Sequence, residues 1–229
     1  MRAIVIGNVA VDETINVDAL PAEGASILGH GRRAELGGKG ANQAVILARA
    51  GVEVTFVAAI GDDERGALVR RSLAAEPLEA RLLTVPYPTD ASIILRDREG
   101  ANAIVTTVDC AGALDVEAAV GSLDGSGQGS LVVLQGNLDE RTTRALFDAA
   151  AARSLPIVFN PSPVAAWQAA LLGRCAAVFA NEHEAAILTG MEPRNAAVEI
   201  VRRGANRAVV TMGAAGLWLA SPEATEPQF

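Results

Sequence analysis

The 229 residues are half hydrophobic but only 3% aromatic, so a core must be built from Ala, Val, Leu and Ile, a composition typical of parallel strands covered by helices. The formal net charge of −8, with no concentrated run of Lys and Arg, excludes nucleic acid and an anionic membrane surface as expected partners. Cys110 and Cys175 are far apart and lack metal-ligand spacing, which predicts reduced thiols in a cytoplasmic protein, and the N-terminal apolar run is too short for a signal or membrane-spanning segment.

Strands and helices are predicted to alternate along most of the chain. A strand at 3–6, a helix at 41–50 and a strand at 52–60 form the first βαβ pattern. Further strands are predicted at 131–135, 157–160, 176–180, 208–211 and 216–220, and further helices at 141–152, 165–172, 182–189 and 196–203. This alternation predicts an α/β fold with a doubly wound, mostly parallel sheet and helices on both faces.

Two insertions interrupt this alternation. Residues 14–36 alternate apolar and polar side chains, which is typical of exposed antiparallel strands, and residues 91–95 and 103–107 flank a polar turn, which is a hairpin signature. We predict that the insertions at about 14–36 and 91–107 form one small β lid. Residues 1–229 are then a single domain that carries this lid.

The most informative motif is residues 37–44, Gly-Gly-Lys-Gly-Ala-Asn-Gln-Ala, at the predicted start of a helix. Glycines allow the backbone to approach a ligand closely, and the first turn of a helix offers unpaired N–H donors. The motif is not a Walker A loop, because Arg33 and Gly40 stand where that motif needs a glycine and a Ser or Thr. The loop is therefore predicted to bind a polar ligand other than a nucleotide phosphate.

Polar residues follow several of the predicted strands. These residues are Asp12, Asn137, Asn160, Asn181, Glu184, Thr211 and Gly213. Ligands of open α/β sheets bind beyond the carboxyl ends of the strands, and carboxylates and amides near Lys39 suit the vicinal hydroxyls of a sugar. Each single Asn or Asp has the alternative role of a helix cap or turn residue, and Asn181 in particular is placed to cap the helix that contains Glu184.

These motifs together resemble the N-terminal signature and later blocks of the ribokinase-like (PfkB) carbohydrate kinases, and the resemblance covers nearly the whole chain. The matching segments are residues 7–12, 37–44, 61–63, 160–163, 181–184 with 188–190, and 211–216. The resemblance implies an ATP-dependent phosphorylation of a primary hydroxyl of ribose or a similar carbohydrate, with Mg²⁺ as a cofactor. It leaves open a monovalent cation such as K⁺ and a homodimer contact through the lid.

The resemblance also implies roles for individual residues. Sugar hydroxyls would be bound by Asp12, Gly38, Lys39 and Asn42, with Asn137 at a further substrate position. Nucleotide would be bound by Asn181, Thr211, Gly213 and Gly216. Asn181 and Glu184 match an Asn-x-x-Glu motif that organises Mg²⁺ and phosphate through water.

The sequence departs from the family pattern at two places. The family's Gly-Ala-Gly-Asp motif, which supplies the catalytic base and an anion hole, does not occur, so the base is expected beyond Phe229 and no catalytic residue is assigned in the chain. Neither Asp62 nor Asp109 is a convincing substitute. Asn137 stands where the ribokinase branch often has a glutamate.

These departures leave four alternatives to an intact sugar kinase. We expect a C-terminally truncated kinase of impaired activity. A nucleoside kinase of the same family is the second hypothesis among enzymes. A non-catalytic hypothesis is a sugar-binding remnant or pseudokinase that cannot transfer phosphate. A chain whose sheet is uncovered on one face, and which barely folds, is the last alternative.

Overall fold

The computed structural model describes residues 1–228, without the side chains of residues 224–228. Its strands are β1 Arg2–Ile6, β2 Ala10–Val17, β3 Gly29–Gly37, β4 Glu53–Ile60, β5 Glu79–Thr84, β6 Ala91–Arg96, β7 Asn102–Thr106, β8 Ser130–Gln135, β9 Ile157–Asn160, β10 Ala177–Asn181, β11 Ala208–Thr211, β12 Leu217–Ser221 and β13 Ala224–Gln228. Its α-helices are α1 Lys39–Arg49, α2 Glu64–Ala74, α3 Asp109–Gly112, α4 Val116–Gly121, α5 Glu140–Ala152, α6 Glu182–Thr189 and α7 Pro193–Arg202. Two 3-10 helices, which have fewer residues per turn than an α-helix, cover Ala166–Arg174 and Gly213–Ala215.

The main sheet has nine strands in the order β13-β12-β11-β10-β9-β8-β1-β4-β5. The strands from β11 to β5 are parallel to their neighbours, whereas β12 and β13 add an antiparallel edge. The prediction of a doubly wound, mostly parallel sheet is therefore confirmed. Along the described residues, no helix is both long and apolar enough to cross a lipid bilayer.

Some elements differ from the sequence-based expectation. The segment predicted as an α-helix at 165–172 is a 3-10 helix, and β5 and α2 were not predicted. The edge strand β5 is mostly exposed and α2 buries only Gly66, Val69 and Leu73, so neither element carries a long apolar pattern in the sequence.

Alternation along the strands divides the core between the two faces of the main sheet. On one face, Ile4 and Ile6 pack with side chains from α5, α6 and α7, and Phe147 meets Phe159 edge to face at 5.5 Å between ring centroids. On the other face, α1 and α2 cover β1 and β4. The part of that face formed by β8, β9 and β10 borders an open cavity, and Phe179 is 44% exposed there.

A second sheet, here called the lid sheet, has four strands in the order β3-β2-β6-β7. It corresponds to the two predicted insertions. The prediction of antiparallel strands within each insertion is confirmed for β2 with β3 and for β6 with β7. The pairing of β2 with β6 was not predicted, and these two strands run in parallel. Each of these two strands is the first strand of its own insertion, and both enter the lid sheet side by side, with Val11 N donating to Asp90 O at 2.9 Å.

Two carboxylates, half-buried Asp63 and buried Asp90, stabilise the point where the chain enters β6. Asp63 caps α2 by accepting from Gly66 N at 2.7 Å, and it also accepts from Thr89 N at 2.8 Å and Thr89 Oγ1 at 2.6 Å. Burial raises the pKa of Asp63, but the hydrogen bonds from Thr89 and Gly66 outweigh burial and hold it below its ordinary value. Asp90 is fully buried, and desolvation raises its pKa.

The lid sheet is also joined to the main body by ion pairs between buried Glu13 and two partly exposed arginines. Glu13 of β2 is only 6% exposed and contacts Arg32 of β3 and Arg65 of α2, each at 2.7 Å. Hydrogen bonds from Arg32 and Arg65 lower the pKa of Glu13. These ion pairs stabilise the packing of the lid sheet on α2 when Glu13 is charged.

We expect Glu13→Gln to lower the free energy of unfolding by about 1–2 kcal/mol at pH 7, because the charge-assisted hydrogen bonds from Arg32 and Arg65 weaken. The folded-state pKa is lowered, so this stabilisation is present above the unfolded pKa of about 4.3 and is lost as the pH falls through the folded value. Urea unfolding at pH 7 and pH 3 should show the difference shrinking in acid. Glu53→Gln is the control, since Glu53 is mostly exposed, and a difference for Glu13→Gln that persists in acid would contradict the prediction.

Candidate functional site

The glycine-rich loop is fixed to the end of β1 by Asn8. Gly40 N donates to Asn8 Oδ1 at 3.2 Å, and Ala41 N donates to Asn8 O at 3.1 Å. Helix α1 starts at Lys39, and both Lys39 and Asn42 are exposed in its first turn. The loop therefore presents a cation and an amide to solvent from a rigidly held helix start.

Three glycines are required by the close approach of this loop to β1 and β2. Gly38 has φ of 91°, and a Cβ there would lie 2.9 Å from Ala10 N. A Cβ on Gly40 would lie 2.7 Å from Asn8 O, and a Cβ on Gly37 would overlap the carboxylate of Asp12. Larger side chains would push the loop away from the strands or displace Asp12.

Asp12 lies on β2 of the lid sheet, half-buried, on the same face as Gly37. Its carboxylate occupies the space that the missing side chain of Gly37 leaves, directly before Gly38 and Lys39 in the chain. The structure thus brings Asp12 to the glycine-rich loop, as the sequence predicts. A carboxylate in this position can accept two hydroxyl hydrogen bonds from a polyol.

A cavity of about 640 Å³ extends from α1 over the exposed face of β8, β9 and β10 to the carboxyl ends of β9, β10 and β11. Its polar lining consists of Lys39, Gln43, Asn160, Ser162, Asn181, Glu184 and Thr211, and its apolar lining includes Ile46, Leu131, Val158 and Phe179. Lys39, Asn181, Glu184 and Thr211 are among the predicted site residues. Polar groups from separate strand ends therefore converge at one edge of the sheet.

Asn181 and Glu184 form a reciprocal capping box at the start of α6. Asn181 Oδ1 accepts from Glu184 N at 2.8 Å, and Glu184 Oε2 accepts from Asn181 N at 2.9 Å. The alternative role of Asn181 as a helix cap is confirmed. The same two residues also line the cavity, and Glu184 is 7% exposed, so one carboxylate oxygen stays available there.

Within residues 1–228, no three His, Cys, Asp or Glu side chains come together as a metal-binding group. Among the described residues that line the cavity, Glu184 is the only one with a carboxylate side chain. A Mg²⁺ ion at this site would need water or phosphate oxygens for most of its coordination shell, which is the arrangement that Mg²⁺ prefers.

Thr211 and Asn181 are direct partners in the parallel pairing of β10 and β11. Gly213 and Gly216 follow Thr211 with φ of 56° and 96°, and both are exposed. They do not line the cavity. Their positive φ values make the turn after β11 a position where the backbone is open to a ligand.

Asn137 is outside the cavity lining, and so are the predicted site residues Asp12, Gly38, Asn42, Gly213 and Gly216. Asn137 follows β8 and is only 8% exposed, and its Oδ1 has no hydrogen-bond partner among the described residues. The neighbouring Gly136 N donates to Ser162 O at 3.0 Å. A role for Asn137 in binding substrate stays a prediction, as does a catalytic base beyond Phe229, which lies outside the described residues.

Two residues of the site were missed in the sequence analysis. Gln43 lies one helical turn after Lys39, so the spacing alone places both on the same face of α1. Gln135 ends a buried strand and is itself fully buried. A glutamine at the end of an otherwise apolar strand was the signal that could have identified it.

Both cysteines are unpaired and buried. Burial raises the pKa of Cys110 to about 11 and that of Cys175 to about 12, so both thiols stay protonated at neutral pH. Neither thiol is a nucleophile at this site.

Comparison with known proteins agrees with this geometry. The model of the pfkB family carbohydrate kinases matches residues 2–228. A ribokinase of Bacillus subtilis is 31% identical over 192 residues, which cover 82% of this chain and 65% of the relative. A bifunctional ribokinase/ribose-5-phosphate isomerase A of Fructilactobacillus sanfranciscensis is 28% identical over 235 residues, which cover 97% of this chain and 43% of the relative.

Among solved structures, a ribokinase from Cryptococcus neoformans in complex with ADP has a TM-score of 0.80 and 27% identity, and the match covers 100% of this chain and 78% of that one. The chain spans about two thirds of the length of the first curated relative and less than half of the second. Because the family match extends over nearly all of its residues, the chain belongs to the pfkB family of carbohydrate kinases.

Proposed function

We propose that the protein takes part in ATP-dependent phosphorylation of a primary hydroxyl of a sugar, with D-ribose as the favoured substrate. The observation that carries this proposal is the position of Asp12 against Gly37, next to a cationic helix start that opens on a cavity rimmed by polar strand ends. The ribokinase names of the relatives support the same substrate class.

The sugar half of the proposed site consists of Asp12, Gly38, Lys39 and Asn42. Asp12 would accept hydrogen bonds from two neighbouring hydroxyls, and Asn42 would both donate and accept. Gly38 leaves room for the ring to approach the backbone, and Lys39 would donate to an oxygen near the transferred group. Lid-sheet strand β2 carries Asp12, so movement of the lid sheet over the sugar would exclude water from the site.

The nucleotide half consists of Asn181, Thr211, Gly213 and Gly216. Thr211 and Asn181 offer hydroxyl and amide groups at adjacent strand ends, and the turn at Gly213 and Gly216 offers exposed backbone. The ADP complex of the Cryptococcus relative supports an adenine nucleotide as the ligand. A bound Mg²⁺ would neutralise charge on the phosphates, and Glu184 with Asn181 would hold its water ligands.

Phosphoryl transfer also needs a base and an in-line arrangement of the attacking hydroxyl. We assign no general base among residues 1–228. The expectation of impaired transfer by this chain rests on the base that is predicted beyond Phe229, and it stays a prediction. The requirement for K⁺ and a homodimer through the lid sheet stay predictions as well.

The proposal is tested by measuring ADP formation from ATP and Mg²⁺ with D-ribose, adenosine or no acceptor. We expect saturable D-ribose binding with slow D-ribose-dependent ADP formation, because no general base is assigned among residues 1–228. Adenosine-dependent formation alone would identify a nucleoside kinase instead, and saturable ribose binding without ADP formation would identify a sugar-binding protein. Failure of the folded chain to bind ribose would overturn the proposal.

We expect Lys39→Ala to raise the Kd for D-ribose about tenfold, because an exposed charged donor is lost, which is worth about 1.4 kcal/mol. Isothermal titration calorimetry with D-ribose measures this change. Arg153→Ala is the control, since Arg153 is paired with Asp124 and is outside the cavity lining. Equal affinity of Lys39→Ala and the wild type would remove Lys39 from the sugar half.

A further inference from the structure

A continuous series of side-chain amides joins helix α1 to the ends of β8 and β9 and to the backbone of β10. Gln135 Nε2 donates to Gln43 Oε1 at 2.7 Å, and Gln43 Nε2 donates to Asn160 Oδ1 at 3.4 Å. Asn160 Nδ2 then donates to the backbone oxygen of Phe179 at 2.8 Å. Gln135, Gln43 and Asn160 are called the amide relay below.

The direction of every hydrogen bond in the amide relay follows from its last acceptor. The carbonyl of Phe179 can only accept, so Asn160 must direct its Nδ2 there and its Oδ1 towards Gln43. Gln43 must then donate with Nε2 and accept with Oε1, which requires Nε2 of Gln135 as the donor. The amide relay has one consistent arrangement, which removes the ambiguity of amide orientation.

Gln135 also fills the space behind the glycine-rich loop. It is fully buried, and a Cβ on Gly7 would overlap its Oε1, while a Cβ on Gly40 would lie 3.0 Å from the same atom. This Oε1 has no hydrogen-bond partner among the described residues. An unpaired buried oxygen costs about 1–3 kcal/mol, which a leucine of similar size would avoid. Packing alone therefore does not account for the amide.

We propose that Gln43 is a positioning residue, which through Gln135 and Asn160 sets the place of the glycine-rich loop relative to the ends of β9 and β10. This inference rests on the proposed function, because those strand ends border the nucleotide half. Gln43 follows Asn42 directly and lies one turn after Lys39, so its anchoring fixes the helix turn that carries both sugar-binding side chains. Phosphoryl transfer depends on such placement, since misplacement of about 1 Å can cost roughly 100-fold in rate.

Gln43→Leu tests the proposal, with Gln128→Leu as the matched control because Gln128 is exposed in a loop. We expect Gln43→Leu to raise the Kd for D-ribose about tenfold, because the amide relay no longer positions the loop. A tenfold change corresponds to about 1.4 kcal/mol of binding free energy. Gln128→Leu should leave the Kd within about twofold, a change below 0.5 kcal/mol. A Kd for Gln43→Leu within twofold of the wild type would overturn the proposal.

A double-mutant cycle separates positioning from a general loss of stability. Asn160→Leu and Gln43→Leu should each raise the ribose Kd about tenfold, and the double variant should raise it by about the same tenfold rather than about 100-fold, because both remove one network. Independent, multiplying effects would contradict a relay.

Hydrogen exchange measured without ligand tests the amide relay independently of the proposed function. The amides of Gly40 and Ala41 donate to Asn8, and that of Asn42 donates to Gly38 O. We expect all three to exchange faster in Gln43→Leu than in Gln128→Leu. Asn160→Asp, which removes the donor to Phe179 but keeps the shape, should have the same effect if Gln43→Leu does not fold. Unchanged exchange in the folded variants would overturn the relay, whereas faster exchange in a chain that binds no ribose would overturn only the proposed function.

Discussion

Gly37→Ala is expected to raise the Kd for D-ribose by about 100-fold without unfolding the protein. A methyl group at this position overlaps the Asp12 carboxylate, which must move away from the loop. Two charge-assisted hydrogen bonds to the sugar would be lost, at about 1.5–3 kcal/mol each before compensation by water. Gly37 is outside the set of residues with positive φ, so alanine is compatible with the backbone.

Calorimetric titration of D-ribose into Gly37→Ala measures this effect. Gly121→Ala is the control, since a Cβ at Gly121 meets no atom within 4 Å and its φ is not positive. Asp12→Ala should reproduce the loss in affinity, because both substitutions remove the same carboxylate from the site. A Kd for Gly37→Ala within about threefold of the wild type, which is under 0.7 kcal/mol, would show that Asp12 does not bind the sugar.

Asp90→Ala is expected to lower the free energy of unfolding by about 3–5 kcal/mol. Asp90 is fully buried and accepts from Cys110 N at 3.2 Å, Ala111 N at 3.0 Å and Thr107 Oγ1 at 3.2 Å. Removing it leaves three buried or partly buried donors without an acceptor, at about 1–3 kcal/mol each. The connections from the main body into β6 and out of β7 should both loosen.

Urea unfolding followed by circular dichroism measures the stability of Asp90→Ala. Asp97→Ala is the matched control, because Asp97 also accepts from backbone amides, those of Glu99 and Ala101, but in an exposed turn. We expect Asp97→Ala to cost less than about 1 kcal/mol. Equal losses for the two variants would contradict the role of burial at Asp90.

The sequence could predict that site residues converge, because the carboxyl ends of neighbouring parallel strands lie at the same edge of a sheet. Once parallel strands were assigned, Asn181 and Thr211 had to lie side by side at the carboxyl edge, and the structure pairs them directly. The motif at residues 37–44 likewise marked a helix start, since glycines and a lysine at this spacing have few other uses. In both cases a short sequence segment was enough to predict the local structure.

The contacts that complete the site could not be predicted, because they join residues far apart in sequence. Gln135 and Gln43 are 92 positions apart, and no local pattern indicates their hydrogen bond. The parallel pairing of β2 with β6 is equally non-local. Asn137 follows its strand as the sequence pattern predicts, but it is not among the residues that line the cavity. The position of a strand does not determine the direction of the loop that follows it.

Titration of D-ribose into the folded chain, beside Gly37→Ala under identical conditions, tests the central claim that residues 12 and 37–42 form a sugar site. We expect saturable one-site binding by the wild type and a Kd about 100-fold higher for Gly37→Ala, which corresponds to about 2.7 kcal/mol. Absence of ribose binding by the folded wild-type chain, or equal binding by both proteins, would contradict it.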